Sequence, residues 1–194
     1  MFSFSKIAVF ATLTLSVFTS AKPFAREASV QGAEAILTNL KTAVTPLAAQ
    51  LASVKSNNAT AGVVGPIVDK ITAAISTATT SAKALKGQPQ DVVLSSATSD
   101  EIVPLQNVAK LVTDILVLLV PTVVGLARIV GPGGDLTGVL PPIGVGLSGL
   151  LGALVLGVAG LVTELIPVVQ GLLAGLGGLV TTLGLGGLLI ALGL

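Results

Sequence analysis

The chain has 194 residues, of which 52% are hydrophobic and only 10% are charged, and its formal net charge is +1. An ordinary soluble domain has about 25% charged residues, so this chain must cover or use a large apolar surface. It contains no cysteine, which excludes disulfides, thiolate metal sites and thiol nucleophiles. It also contains no histidine, the commonest general base and metal ligand. We therefore expect no enzyme, no metal and no cofactor.

Residues 1–21 have the layout of a secretory signal peptide. Lys6 provides a short basic region, residues 7–18 form an apolar core, and small residues end at Ala21. We predict cleavage after Ala21 and secretion; a first membrane helix is the alternative. Loss of Lys6 leaves nine basic and nine acidic residues, so the mature chain is about neutral, which favours association. No basic patch remains to suggest nucleic acid as a partner.

Residues 22–110 form an amphipathic region in which apolar residues recur at intervals of three and four, the spacing of one helix face. The first stripe comprises Ile36, Leu40, Val44, Leu47, Leu51 and Val54. The second comprises Val64, Val68, Ile71, Ile75, Ala78, Ala82 and Leu85. We expect Pro46 to kink or split the first helix, and Pro66 to lie in the first turn of the second. Thr98 and Glu101 form a capping box before a third stripe. The pattern predicts an antiparallel helical bundle.

The polar loop between the first two stripes contains an N-glycosylation sequon, Asn58-Ala59-Thr60. A sequon has meaning only in a chain that enters the secretory pathway, as the signal peptide predicts. Its position in a loop favours access to the amide. We therefore predict glycosylation at Asn58.

From residue 111 onward the stripe widens until the chain is apolar on all sides. Residues 139–194 contain 14 glycines, 18 leucines and one charged residue, Glu164. Pro141, Pro142 and Pro167 divide the region into apolar stretches 143–163 and 165–194. Each stretch is long enough to span about 30 Å of hydrocarbon. We predict an all-α fold, with the amphipathic bundle (22–110) followed by a hydrophobic region (111–194) of Gly/Leu-rich apolar helices that form a helical hairpin.

Small residues recur at every fourth position in two places of the hydrophobic region. This spacing lets helices approach closely, whether in a membrane or outside it. We therefore predict helix-packing roles for Gly149, Ala153, Gly157, Gly171 and Gly175. Gly144, Gly146 and Gly149 also match the dinucleotide fingerprint GxGxxG, but that motif must follow a strand, and here prolines precede it.

The layout as a whole resembles a group of small secreted fungal proteins. The parts that carry the resemblance are the signal "MFSFSKIAVFATLTLSVFTSA", the segment "ILTNLKTAVTPLAAQLASV" and the tail "GLLAGLGGLVTTLGLGGLL". Together they are similar to the cysteine-free, non-hydrophobin wall proteins of mushroom-forming fungi, which support aerial hyphae and attachment. The first two helices are also faintly similar to fungal hydrophobic-surface-binding proteins. The resemblance implies a non-enzymatic structural role at the cell wall and supplies no catalytic residues.

Three functional hypotheses follow from the polarity split. The first is a secreted structural protein that associates with itself and binds or coats hydrophobic surfaces or wall polymers. The second is a membrane-embedded or lipid-binding protein whose tail forms a hairpin turning near residues 164–167. The third is a helical carrier that encloses a lipid between the bundle and the tail. The missing aromatic belt and basic flanks count against a conventional membrane anchor.

Overall fold

The computed structural model describes residues 30–96, 101–130, 136, 138–173 and 186–187. Within these ranges the fold is all-α, as predicted, and no residue belongs to a β-strand. The main helices are α1 (Ala33–Ala52), α2 (Ala61–Lys83), α3 (Gln90–Val93), α4 (Leu105–Val130), α5 (Pro141–Gly157) and α6 (Leu161–Leu173). The predicted cleavage site at Ala21 and the packing residue Gly175 lie outside the described residues, as does Thr98. The predicted capping box is wrong, because its other member, Glu101, lies in a bend and α4 begins only at Leu105.

The helices pack in the spatial order α6, α4, α1, α2, α5. Two close approaches fix the direction of α5, because Gly146 lies beside Ile75 and Gly157 lies beside Leu85. Residue numbers rise in the same direction on both sides of this contact, so α2 and α5 run parallel. Gly160, just beyond α5, lies beside Leu105 at the start of α4. The end of α5 and the start of α4 therefore share one end of the bundle.

One hydrophobic core joins the amphipathic and the hydrophobic regions. The predicted stripes of α1 and α2 supply one side of it, and the buried faces of α4, α5 and α6 supply the other. No polar or charged residue is buried in the part of the chain that the structure describes. The predicted boundary between residues 110 and 111 falls inside α4, and residues on both sides of it share this core. The boundary therefore marks a change in composition only, because the hydrophobic region covers the buried stripes of α1 and α2.

Four prolines lie inside helices, at positions 46, 66, 121 and 167. Of the predicted kink or split at Pro46 the split is wrong, because α1 runs through Pro46 as one helix; the kink stays a prediction. The predicted first-turn position of Pro66 is also wrong, because α2 already begins at Ala61. All four prolines are exposed, as are the residues four positions earlier whose carbonyls lose a partner. Water can hydrate those carbonyls, so burial of the opposite face outweighs the lost hydrogen bonds.

The helices of the hydrophobic region are interrupted at an earlier position than its prolines suggest. α5 begins at Pro141, as expected for a proline in the first turn. It ends at Gly157, where Val158 turns to extended backbone and Gly160 takes a φ of 82°, a conformation that favours glycine. The predicted turn near residues 164–167 is wrong, because those residues lie within α6. α5 packs mainly on α2 and α6 on α4, so the two helices separate instead of pairing along their length.

Candidate functional site

The outer sides of α1 and α2 form the polar part of the surface. Exposed threonines recur there, and their hydroxyls donate to carbonyls one turn earlier at 2.6–3.0 Å, at Thr42, Thr45, Thr77 and Thr80. The hydroxyl proton is thus used within the helix, while the oxygen still accepts from water. Lys41 belongs to the same side, at the seam with α4. This side suits contact with water or with a hydroxyl-rich polymer.

The outer side of the C-terminal half of α4 is mainly apolar, in contrast to α1 and α2. Val117, Pro121, Gly125 and Ile129 recur at every fourth position and form one exposed line, which we call the α4 face. Val117 is 50% exposed and Ile129 is 46% exposed. Arg128 lies exposed beside the end of this line. The α4 face therefore offers bulky apolar side chains to the outside of the bundle.

A second apolar line follows the outer side of α5. It comprises Val145, Gly149, Gly152 and Leu156, and we call it the α5 face. Val145 is 62% exposed and Leu156 is 68% exposed. At both glycines a Cβ atom would meet nothing within 4 Å. The face thus presents two bulky groups, about 16 Å apart along the helix at 1.5 Å per residue, with a shallow depression between them.

The five predicted helix-packing residues have different surroundings. Ala153 is buried, and a Cβ on Gly157 would lie 3.0 Å from the Cβ of Leu85, so both lie where α5 packs closely. Gly149 and Gly171 are exposed with open space around them, so they do not pack closely against another described helix of the chain. A spacing of four advances about 40° per step around the helix, which carries Gly149 away from the contact side. Close packing between copies stays a prediction for those two glycines.

Sequence reasoning missed the packing role of Gly146. A Cβ there would lie 3.1 Å from Cγ2 of Ile75, which is fully buried on α2. Gly146, Ala153 and Gly157 are separated by seven and four residues, which keeps them on one side of a helix. That spacing can be read from the sequence, but so can the predicted set Gly149, Ala153 and Gly157. Only the position of α2 shows which of the two sets lies at the contact.

One ion pair crosses the seam between the polar and apolar parts of the bundle. The Nζ of Lys41 on α1 donates to Oδ2 of Asp114 on α4 at 2.8 Å. The two side chains are 40% and 35% exposed, so water screens the pair. The pair gives the single carboxylate of α4 a partner on α1 and helps orient α4 toward α1.

The predicted glycosylation residue lies at the surface. Asn58 is exposed in the loop between α1 and α2, and its Oδ1 accepts a hydrogen bond from the backbone N–H of Lys55 at 2.8 Å. Thr60 holds the N-cap position of α2 without a hydrogen bond from its side chain to the helix. Both polar residues of the sequon are therefore accessible, on the loop that leads into the polar side of the bundle.

α4 is the one helix among the described residues that is long and apolar enough to cross a membrane. The most apolar 18-residue window of α4 has a mean hydropathy of 2.0, and half of that window is buried inside the protein. A core helix meets the same criterion, and α4 packs on α1 and α6. α5 and α6 have 17 and 13 residues, fewer than the roughly 20 that a spanning helix needs.

Two further features describe what the site can do chemically. In the described ranges no group of three or more acidic residues is placed to hold a metal ion. An open groove of about 640 Å³ separates the outer sides of α2 and α5. Hydroxyl groups and Lys83 line its α2 wall, whereas Pro141, Pro142 and Val145 line the wall on the α5 side. The groove thus brings hydroxyl groups and a cation opposite an apolar wall.

Comparison with known proteins finds no family model, no curated protein and no solved structure that matches the chain. We therefore infer function from the chain's own surfaces, above all from the α4 and α5 faces.

Proposed function

We propose that the mature protein is a secreted, non-enzymatic structural protein that adsorbs to hydrophobic surfaces through its α4 and α5 faces. The observation that carries the proposal is the exposure of Val117, Ile129, Val145 and Leu156, which lies between 46% and 68%. All four belong to the two lines of residues defined above. The outer sides of α1 and α2 carry mainly hydroxyl, amide and charged groups, and Val63 near the start of α2 is their one large apolar side chain among the exposed ones, at 44%.

The size of the effect supports adsorption by these faces. Full burial of one such side chain contributes about 1.5–3 kcal/mol, so covering the exposed half contributes about 1 kcal/mol. The two side chains of one face together give about 2 kcal/mol, which corresponds to an affinity gain of roughly thirtyfold. The apolar residues beyond α6 would add to this.

Self-association and location complete the proposal. The mature chain has nine basic and nine acidic residues, so copies do not repel one another strongly. A layer of copies would place α4 and α5 against the apolar phase and leave α1, α2 and Asn58 toward water or wall polymers. This arrangement agrees with the resemblance to fungal wall proteins that support aerial growth and attachment.

Adsorption to a fluoropolymer surface tests the proposal. The mature chain, residues 22–194, is compared with the double variant Val145→Ser and Leu156→Ser in a quartz-crystal microbalance. Removing two anchors of about 1 kcal/mol each lowers the affinity roughly thirtyfold. Ile102→Ser is the matched control, because Ile102 is 63% exposed but lies outside both faces.

Comparison of the variants distinguishes adsorption through the α5 face from non-specific adsorption through any exposed apolar residue. An equal loss in the double variant and in Ile102→Ser contradicts the assignment of the faces. A wild-type chain that stays monomeric and does not adsorb contradicts the proposed function itself.

A second candidate function is lipid binding, which the groove between α2 and α5 favours. Its volume of about 640 Å³ lies in the range of small-molecule sites, and Lys83 provides a cation beside an apolar wall. Native mass spectrometry of the purified monomer tests this candidate. A lipid retained at fixed stoichiometry supports it, and a lipid-free monomer argues against it. Carbonate extraction of cells distinguishes surface adsorption and lipid binding from membrane insertion. A membrane-inserted protein is retained in the lipid pellet.

A further inference from the structure

A groove of about 260 Å³ lies at the seam between α1 and α2, and we call it the α1–α2 groove. Its floor consists of Ile36, Leu40 and Ala78, which are all buried. Ala43 and Ala74 line its sides, and because alanine ends at Cβ they leave a gap that larger side chains would fill. The volume lies below the roughly 300–1,000 Å³ of small-molecule sites, so the groove is sized for a single bulky side chain.

Amide groups lie at the rim of the α1–α2 groove. Gln31 precedes α1 and Asn39 lies on it, and both residues are exposed. The amide of each side chain has two N–H donors. An apolar group that enters the groove beside hydrogen-bond acceptors therefore finds donors at the rim.

Leu156 on the α5 face combines these two properties. Its side chain is 68% exposed, more than any other large hydrophobic side chain among the described residues. It lies in the last turn of α5, which ends at Gly157, and the last four carbonyls of a helix have no partner within the helix. The carbonyl of Leu154 accepts from the N–H of Val158 at 2.7 Å. The carbonyls of residues 155–157 have no backbone donor in the described ranges, so acceptors surround the Leu156 side chain.

The α1–α2 groove and Leu156 lie at the same end of the bundle. A Cβ on Gly157 would lie 3.0 Å from the Cβ of Leu85 and 3.7 Å from the carbonyl oxygen of Ala82. Leu156 is therefore level with the end of α2, and Ser81, which lines the groove, lies within about one turn of that level. Two copies can thus lie side by side and place Leu156 of one opposite the groove of the other without a large shift along the helix axes.

We propose that Leu156 of one copy inserts into the α1–α2 groove of a second copy, whose Gln31 and Asn39 donate to the free carbonyls at the end of α5. This contact rests on the self-association that belongs to the proposed function, and it names the surfaces that produce it. The two features lie on different parts of one copy, so the contact is heterologous and leaves a free Leu156 and a free groove at the ends of every assembly. Copies therefore join into open rows, and the α4 face stays free for the apolar phase.

Two variants of the mature chain remove one feature each. Leu156→Ser removes the inserted side chain, and Ala43→Glu places a carboxylate in the groove. Both residues are exposed, so neither change enters the core, and circular dichroism verifies the helix content of each variant. The matched controls are Ile102→Ser, at an exposed residue outside the α5 face, and Ala49→Glu, at an exposed residue of α1 that does not line the groove.

Sedimentation velocity over a range of concentrations measures association in solution. We expect the wild type and both controls to form species larger than a dimer at high concentration. Leu156→Ser and Ala43→Glu should each need at least about tenfold higher concentration, the effect expected when the burial of one leucine is lost. Mixed in equal amounts, the two variants restore one contact, because the first keeps its groove and the second keeps Leu156. The mixture should form a one-to-one complex, and nothing larger, where each variant alone is monomeric.

Three results would overturn the contact. A mixture that associates no better than its components contradicts the pairing, and so does an Ala43→Glu variant that associates like the wild type. A wild-type chain that stops at a dimer contradicts the open row. A wild-type chain that stays monomeric but adsorbs to a fluoropolymer overturns the contact and leaves surface binding in place.

Discussion

Two glycines three residues apart on α5 should respond in opposite ways to the same substitution. Gly149→Ala adds a methyl group where nothing lies within 4 Å. The gain in helix propensity, about 1 kcal/mol, should appear as added stability. Gly146→Ala adds the same methyl group 3.1 Å from Cγ2 of Ile75, a buried side chain with one favoured rotamer in a helix. Overpacking of this kind costs about 1–3 kcal/mol, so the net effect is a loss of up to about 2 kcal/mol.

Urea unfolding of the mature chain, followed by circular dichroism, measures both changes. The difference between the two variants isolates the packing term, because helix propensity contributes similarly to each. A difference of 2 kcal/mol corresponds to roughly 4–8 °C in Tm for a chain of this size. Equal stabilisation of both variants would show that α5 does not pack on α2 at Gly146. Equal destabilisation would show that Gly149 is covered as well.

Three other substitutions probe the remaining features. Leu116→Ala in the buried face of α4 should lower the free energy of unfolding by about 2–5 kcal/mol in urea titrations. A loss below about 1 kcal/mol would mean that α4 is not a core helix. Asp114→Asn should cost less than about 1 kcal/mol, and a double-mutant cycle with Lys41→Met should recover a coupling of that size or none. Asn58→Gln should remove a glycan's mass from the chain secreted by a eukaryotic host; an unchanged mass would exclude Asn58 as the acceptor.

The periodic stripes predicted the helices of the amphipathic half well. On α1 the first stripe is buried at Ile36, Leu40, Val44 and Leu51, and it is half-buried only at Leu47. A spacing of three and four puts residues on one helix side whatever the rest of the chain does. The stripe therefore specifies a buried side before any partner is known.

The helix ends of the hydrophobic half could not be predicted in the same way. Proline served as the expected breaker, yet Pro167 lies inside α6 and the chain turns at Gly160. Proline breaks a helix when its side is buried and the freed carbonyl has no water. Each interior proline here is exposed, so the helix continues through it and is held by the packing of its opposite side.

Amino-acid order alone determined that this chain is helical, that its two halves differ in polarity, and which side of each amphipathic helix is buried. These properties depend on spacing and composition, which are local. Only the tertiary structure decided that both halves share one core, that Gly146 packs closely while Gly149 lies open, and that Val145 and Leu156 face outward. Those outcomes depend on where α2 lies beside α5. In a helix that is apolar on all sides, the sequence carries no periodic signal to say which side finds a partner.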